Sequence, residues 1–93
     1  FQPHMFSRTR VLLNDFAKSV ELADQVGIME VYSSARETTG RVGGKQLANK
    51  TKAYHKKTKY LKDFKIAKRF IAKYSKDQNI IVLMGAGNIC DLA

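Results

Sequence analysis

Apolar residues recur along this chain at a helical spacing, then in a short continuous run, and the alternation repeats. After Pro3, the residues Leu12, Leu13, Phe16, Ala17, Val20 and Ala23 fall at steps of three and four. That spacing predicts one apolar face of a helix from about Thr9 to Asp24. Ser7 or Thr9 can cap its start, because a hydroxyl there accepts from the free N–H groups of the first turn. Val26 to Tyr32 is a short apolar run with β-branched residues and reads as a buried strand, followed by a polar loop from Ser33 to Gly44. Lys45 to Lys52 reads as a short helix with Leu47 and Ala48 inward, and Thr58 to Leu61 as a short strand. Phe64, Ala67, Phe70, Ile71 and Tyr74 share one helical face, and Asp63 stands where an N-cap is wanted, so a helix runs from about Phe64 to Ser75. Asn79 to Met84 reads as a second buried strand, closed by Gly85-Ala86-Gly87.

Strands buried on both faces, alternating with amphipathic helices, imply an α/β fold with a mostly parallel sheet and helices on both faces. In such sheets functional residues gather beyond the strand C-termini. Three segments then share one rim: Pro3 to Arg8, Tyr32 to Glu37 and Gly85 to Ile89.

With 93 residues the chain can bury one modest core and is expected to form a single domain, 1–93. The apolar run Ile80 to Met84 is far short of the about 20 residues a membrane-spanning helix needs. The N-terminus has no basic or apolar leader pattern and no initiator Met, so the sequence is expected to derive from something longer. A lone Cys90 fits a reducing, cytoplasmic location. Charge is segmental. Residues 1–40 carry four basic and five acidic groups, residues 41–76 carry thirteen basic groups against Asp63 alone, and residues 77–93 carry two acids. The net charge of +9 therefore comes from the middle third, as a solvated lysine-rich surface or as a contact for nucleic acid or another anionic surface.

Several constellations fail their own chemistry. Around Gly44-Lys45 a phosphate loop would need Gly and Ser or Thr where Thr39 and Gln46 stand. Gly85-Ala86-Gly87-Asn88-Ile89-Cys90 puts Cys at the third small position of a dinucleotide loop, and reads as a tight turn. His4, His55 and Cys90 lack zinc-ligand spacing, so no metal site is expected; His55 reads as an exposed surface histidine. A Cys90–His4 catalytic pair has no third residue to orient it. Pro3-His4 with Ser7-Arg8-Thr9-Arg10 offers an imidazole and a guanidinium at a helix start, a plausible carboxylate or phosphate clamp. Arg8 and Arg10 there would oppose the helix dipole, a local cost that mildly favours a functional role over ordinary solvation.

At these residues a resemblance emerges. Phe1-Gln2-Pro3-His4-Met5-Phe6-Ser7-Arg8-Thr9 resembles the F-Q-P-H-x-[YF]-[ST]-R-T motif of the UDP-N-acetylmuramate–L-alanine ligases, Mur ligases that add the first amino acid of the peptidoglycan stem peptide. Tyr32-Ser33-Ser34-Ala35-Arg36-Glu37 looks like the family's Y-x-[SA]-A-R-E loop, and Met84-Gly85-Ala86-Gly87-Asn88-Ile89 like its M-G-A-G-[ND]-I turn. The first motif is specific and the other two would be weak alone. Together they leave only the lysine-rich middle without a match.

The resemblance implies an enzyme of three domains that bind UDP-sugar and ATP and, in the last, the amino acid. ATP and Mg²⁺ activate the muramate carboxylate as an acyl phosphate, which L-alanine attacks to form an amide. The chain would be part of the C-terminal domain, a Rossmann-like unit, with the phosphate loop and a D-D-Y-x-H-H-P segment lying outside it. As such it is expected to have no catalytic residues, to hold no ATP or Mg²⁺ itself and to be inactive alone. The family's His and Arg, which face the cleft and hold the carboxylate of L-alanine or product, correspond to His4 and Arg8. Met5 stands where many members have Arg, and residues 38–44 lack the Pro often found there. Two alternatives remain at this point: a basic α/β module binding nucleic acid through Lys50 to Lys76, with Tyr54, Tyr60 and Phe64 interleaved, and a Mur ligase for another amino acid. A truncated parallel sheet also invites self-association through its exposed edge.

Overall fold

A computed structural model describes residues 1–32, 42–76 and 78–93. At its centre β1 (Val26–Met29) pairs in parallel with β2 (Thr58–Leu61), in the register Val26 to Thr58 and Met29 to Leu61. A parallel pair needs a crossover, and here α3 (Gly44–Lys52) provides it. Two further lines of chain extend the pairing on the other side of β1. The Phe1 amine donates to the Gly27 carbonyl at 2.7 Å, and Met29 N donates to the Phe1 carbonyl at 2.9 Å. Farther along, Tyr32 N donates to the Pro3 carbonyl and Met5 N to the Tyr32 carbonyl, which makes a parallel bridge of His4 with Tyr32. Gln2 in turn donates to the Met84 carbonyl and bridges Gly85 in parallel. The order across the layer is β2, β1, residues 1–4, residues 84–85.

Because side chains alternate along a strand, Val26 and Ile28 face one side of β1 and Met29 the other. On the first side they pack with Ala17, Leu47 and Ala48, from α2 (Leu13–Ser19) and α3. On the second, Met29 and Leu61 pack with Ala67 and Ile89, from α4 (Phe64–Tyr74) and a closing 3-10 turn (Asn88–Leu92). The α/β class and the parallel sheet covered on both faces are as expected from the sequence, in a partial Rossmann-like form. Leu47 and Ala48 are buried as their spacing implied, and Asp63 caps α4 by accepting from Ile66 N at 2.9 Å.

Three expectations need correction. The first helix is two short helices, α1 (Phe6–Val11) and α2, kinked at Leu12, and it starts earlier than Thr9. Met5 is its N-cap, without a side-chain cap; Thr9 instead donates its hydroxyl to the Met5 carbonyl at 2.8 Å. The helix also ends at Ser19, since Leu22, at 96% exposed, has nothing to pack against. Second, β1 stops at Met29 because β2 ends there; Val31 and Tyr32 continue toward residues 3–5 instead. The largest difference is residues 79–84, which form no strand and are not buried: Ile80 is 88% and Val82 66% exposed. Their apolar character suits a strand, but among the described residues only Met84 pairs with a neighbouring line, accepting from Gln2 N.

Candidate functional site

Parallel lines carry their C-terminal ends to the same edge, and Pro3 to Arg8, Tyr32 and Gly85 to Ile89 come together there. The His4 imidazole stacks on the Tyr32 ring, with centroids 5.8 Å apart and planes 23° apart. Gly87 lies against the other partner of that stack. A Cβ at Gly87 would stand 2.4 Å from Tyr32 Cγ, so only glycine lets the turn approach the ring. Gln2 is buried beneath the rim and donates from Nε2 to Asn88 Oδ1 at 3.3 Å, while its Oε1 has no partner among the described residues. The first and third motifs are therefore joined by Gln2–Asn88 directly and by His4–Tyr32–Gly87 through one aromatic ring. Residues 33–37 of the second motif lie outside the described residues; Tyr32, its first residue, is the bridge between the other two.

Met5, next to His4, has φ 67° and ψ 132°, a backbone conformation that costs a non-glycine residue about 1–3 kcal/mol. It is held by Met5 N donating to Tyr32 and by Thr9, whose N–H and hydroxyl both donate to the Met5 carbonyl. The strain sits where the chain turns from the His4 bridge into α1. Arg8 follows, exposed on α1. Since α1 has only six residues, Arg8 and Arg10 lie in its last turn, where a cation is favourable. The dipole cost inferred from the sequence is thus absent, and with it that argument for a special role.

A second polar cluster supports the rim from inside, and nothing in the sequence reading identified it. Glu30, just past β1, accepts from Val31 N at 2.8 Å and from Gly44 N at 2.7 Å on Oε1, and from the Tyr60 hydroxyl at 2.7 Å on Oε2. Burial pushes the Glu30 carboxyl upward, but the bonds from Gly44, Val31 and Tyr60 outweigh it and hold the pKa below its usual value. Tyr60 shifts up to about 12, through burial first and then through the Glu30 bond and charge. The available signal was a single carboxylate interrupting an otherwise apolar run. Glu30 also decides a question about nucleotides. Gly44 N opens α3, where a phosphate loop would place phosphate, and the Glu30 carboxylate already holds that N–H. A negative side chain there does not fit a nucleotide phosphate.

The remaining candidates are not brought together. His55 is half-buried rather than exposed, tied to the Ala23 carbonyl and accepting from Lys57 N. The exposed Cys90 directs its thiol toward the Gly87 carbonyl and Asp91, while His4 stacks on Tyr32, so no Cys–His pair forms. Among the described residues no group of three or more His, Cys, Asp or Glu could hold a metal ion, and no helix is long and apolar enough to cross a membrane. Of the aromatics interleaved with lysine, Tyr60 is tied to Glu30 and Phe64 packs on the core; Tyr54 is exposed but bonded to Asn14.

Comparison with known proteins gives one name repeatedly. No protein-family model matches the chain. The UDP-N-acetylmuramate–L-alanine ligase of Caldanaerobacter subterraneus is 35% identical over 92 residues, 99% of this chain and 20% of that protein. The enzyme of the same name from Treponema pallidum is 39% identical over 93 residues, 99% of this chain and 19% of the relative. That of Levilactobacillus brevis is 60% identical over 50 residues, 54% of this chain and 11% of the relative. The chain thus spans about a fifth of the length of the first two relatives. Matched almost end to end and carrying the motifs that meet at its rim, the chain belongs to the UDP-N-acetylmuramate–L-alanine ligase family.

Proposed function

We propose that this chain is part of the C-terminal domain of an ATP-dependent ligase that joins L-alanine to UDP-N-acetylmuramate in the cytoplasm, and that its rim positions the amino acid. The observation that carries this reading is the stack of His4 on Tyr32 with Gly87 closed against the same ring. Nothing in a small α/β core requires an imidazole at that place, and an exposed guanidinium follows one turn later. In the proposed complex the Arg8 fork takes the carboxylate of L-alanine or product, since guanidinium matches it with two parallel N–H bonds. His4 supplies a further hydrogen bond from a ring whose orientation is fixed by stacking. Holding the carboxylate at both groups aims the amine, and orientation of this kind supplies much of the acceleration in acyl transfer.

ATP and Mg²⁺ belong to other parts of the intact enzyme in this reading, in keeping with Glu30 at the α3 N-terminus. The chain alone is then inactive. The basic surface is read as solvated composition rather than a nucleic-acid contact, because two of its three aromatics are spent inside the domain.

The test is a ligation assay on the intact enzyme with L-alanine, L-serine, glycine and D-glutamate, following ADP release. Preference for L-alanine is expected. Preference for D-glutamate would overturn the substrate, and steep salt-sensitive binding of nucleic acid by the chain would favour the other reading.

A further inference from the structure

The chain leaves β1 through a one-residue bulge, and that bulge decides what stands beside His4. Within β1, Val26 turns its N–H to β2, donating to the Lys57 carbonyl, while Gly27 and Met29 turn to residues 1–4. Phe1 bonds to Gly27 and Met29 and so stands opposite Ile28. In a parallel ladder such bonding positions recur at every second residue. Carried forward without interruption, this register would send Val31 N to the Pro3 carbonyl and set Val31 opposite His4. Instead Tyr32 N donates to the Pro3 carbonyl at 2.8 Å, and the Tyr32 carbonyl accepts from Met5 N at 3.0 Å, so Tyr32 stands opposite His4. Three steps of chain from Met29 to Tyr32 therefore run beside two from Phe1 to Pro3.

A bulge costs the extra residue its ladder partner. Val31 N is the group left over, and Glu30 Oε1 accepts from it at 2.8 Å. The same oxygen accepts from Gly44 N at 2.7 Å, so it ties the bulge to the start of α3. The two meet backbone against backbone, since a Cβ at Gly44 would stand 2.1 Å from the Met29 carbonyl oxygen. Oε2 is used differently: the Tyr60 hydroxyl donates to it at 2.7 Å and anchors the carboxylate to β2. Pro3 adds a reason for the interruption, having no N–H to give the Met29 carbonyl. Bulges re-aim side chains. With Val31 opposite His4 there would be no ring to stack on, whereas Tyr32 holds the imidazole with centroids 5.8 Å apart.

We propose that Glu30 is a positioning residue for the amino acid: by holding the bulge, its carboxylate puts Tyr32 beside His4 and so sets the orientation of the imidazole at the rim. In this role Glu30 meets no substrate and acts only through Val31, Tyr32 and His4. An ionised carboxylate suits the task, because one oxygen can accept two N–H groups and such bonds are about twice as strong as neutral ones. The proposal deepens the reading of His4 and Arg8 as the carboxylate site and rests on it.

The test is run in the intact ligase, with L-alanine and ATP varied in turn. Glu30→Ala is expected to raise the KM for L-alanine by about tenfold while that for ATP stays within about twofold. Glu30→Met, which fills the same space without an acceptor, carries the same expectation should circular dichroism show Glu30→Ala unfolded. Glu30→Gln keeps a carbonyl for both N–H groups and should bring the KM to within about threefold of wild type. Tyr60→Phe loosens the same carboxylate but leaves Oε1 on Val31, so it should lower stability and leave the KM unchanged. His4→Ala combined with Glu30→Ala should be no worse than His4→Ala alone, since one acts through the other. In the 93-residue chain, nuclear Overhauser contacts between the His4 and Tyr32 rings should be present in wild type and Tyr60→Phe and lost in Glu30→Ala or Glu30→Met. Ring contacts that survive loss of the carboxylate, additive losses in the double variant, or a Tyr60→Phe effect as large as that of Glu30→Ala would overturn the proposal. An unchanged KM for L-alanine in His4→Ala alone would bring down the reading of the rim and the proposal together. A raised KM in His4→Ala with none in Glu30→Ala would overturn the proposal only.

Discussion

Val26-Gly27-Ile28-Met29 and Ile80-Ile81-Val82-Leu83 are nearly interchangeable as sequences, yet they have opposite fates in the structure. The first is a strand with neighbours on both sides, and its Ile28 is 1% exposed. The second forms no strand, and its Ile80 is 88% exposed, with only Leu83 packed against the core. Hydrophobicity favours burial in both, but a strand also needs partners for its N–H and C=O groups. β1 finds them in β2 and residues 1–4. Among the described residues, no backbone hydrogen bond joins residues 80–83 to a neighbouring line.

The sharpest way to break this comparison is a matched pair of substitutions read by denaturant midpoint. Ile28→Ala should cost about 3–4 kcal/mol, by lost burial and a cavity, while Ile80→Ala should stay within about 0.5 kcal/mol. Equal losses would mean that residues 80–83 are packed in solution. Next in size is Glu30→Ala, which strands the Val31 and Gly44 N–H groups and the Tyr60 hydroxyl; about 2–3 kcal/mol is expected at neutral pH. The pH dependence carries a sign. The folded pKa of Glu30 lies below 4.5, so its stabilisation is complete above that value and drains as pH falls through the lowered one. The wild-type chain should therefore lose more stability than Glu30→Ala on acidification; parallel curves would contradict the three bonds.

The smallest effect is expected at the rim: Met5→Gly should stabilise the chain by about 0.5–1 kcal/mol by removing the strain at φ 67°. A loss of stability would show the Met5 side chain to matter more than its backbone.

Much of this was legible in the sequence because it is local. The α4 face and its Asp63 cap, the Leu47–Ala48 pair and the order of elements follow from spacing and capping chemistry, which one segment contains in full. The failures needed tertiary knowledge. Residues 79–84 have a strand's composition, but their state depends on a neighbour. The kink at Leu12 and the six-residue length of α1 reversed the electrostatic meaning of Arg8, which spacing alone cannot reveal. For the site, His4 and Tyr32 belonged to separately noted motifs, while their stacking came from a register that only folding supplies. Glu30 was hidden inside an apolar run, and two of its three partners, Gly44 and Tyr60, come from other elements, α3 and β2.

The central functional claim is that the rim holds an amino acid's carboxylate through His4 and Arg8. Steady-state kinetics of Arg8→Ala in the intact ligase address it most directly, with L-alanine and ATP varied in turn. The KM for L-alanine is expected to rise by about tenfold or more while that for ATP stays within about twofold, the signature of one lost charge-assisted contact on the amino-acid side. Equal losses for both substrates, or no change for L-alanine, would contradict it.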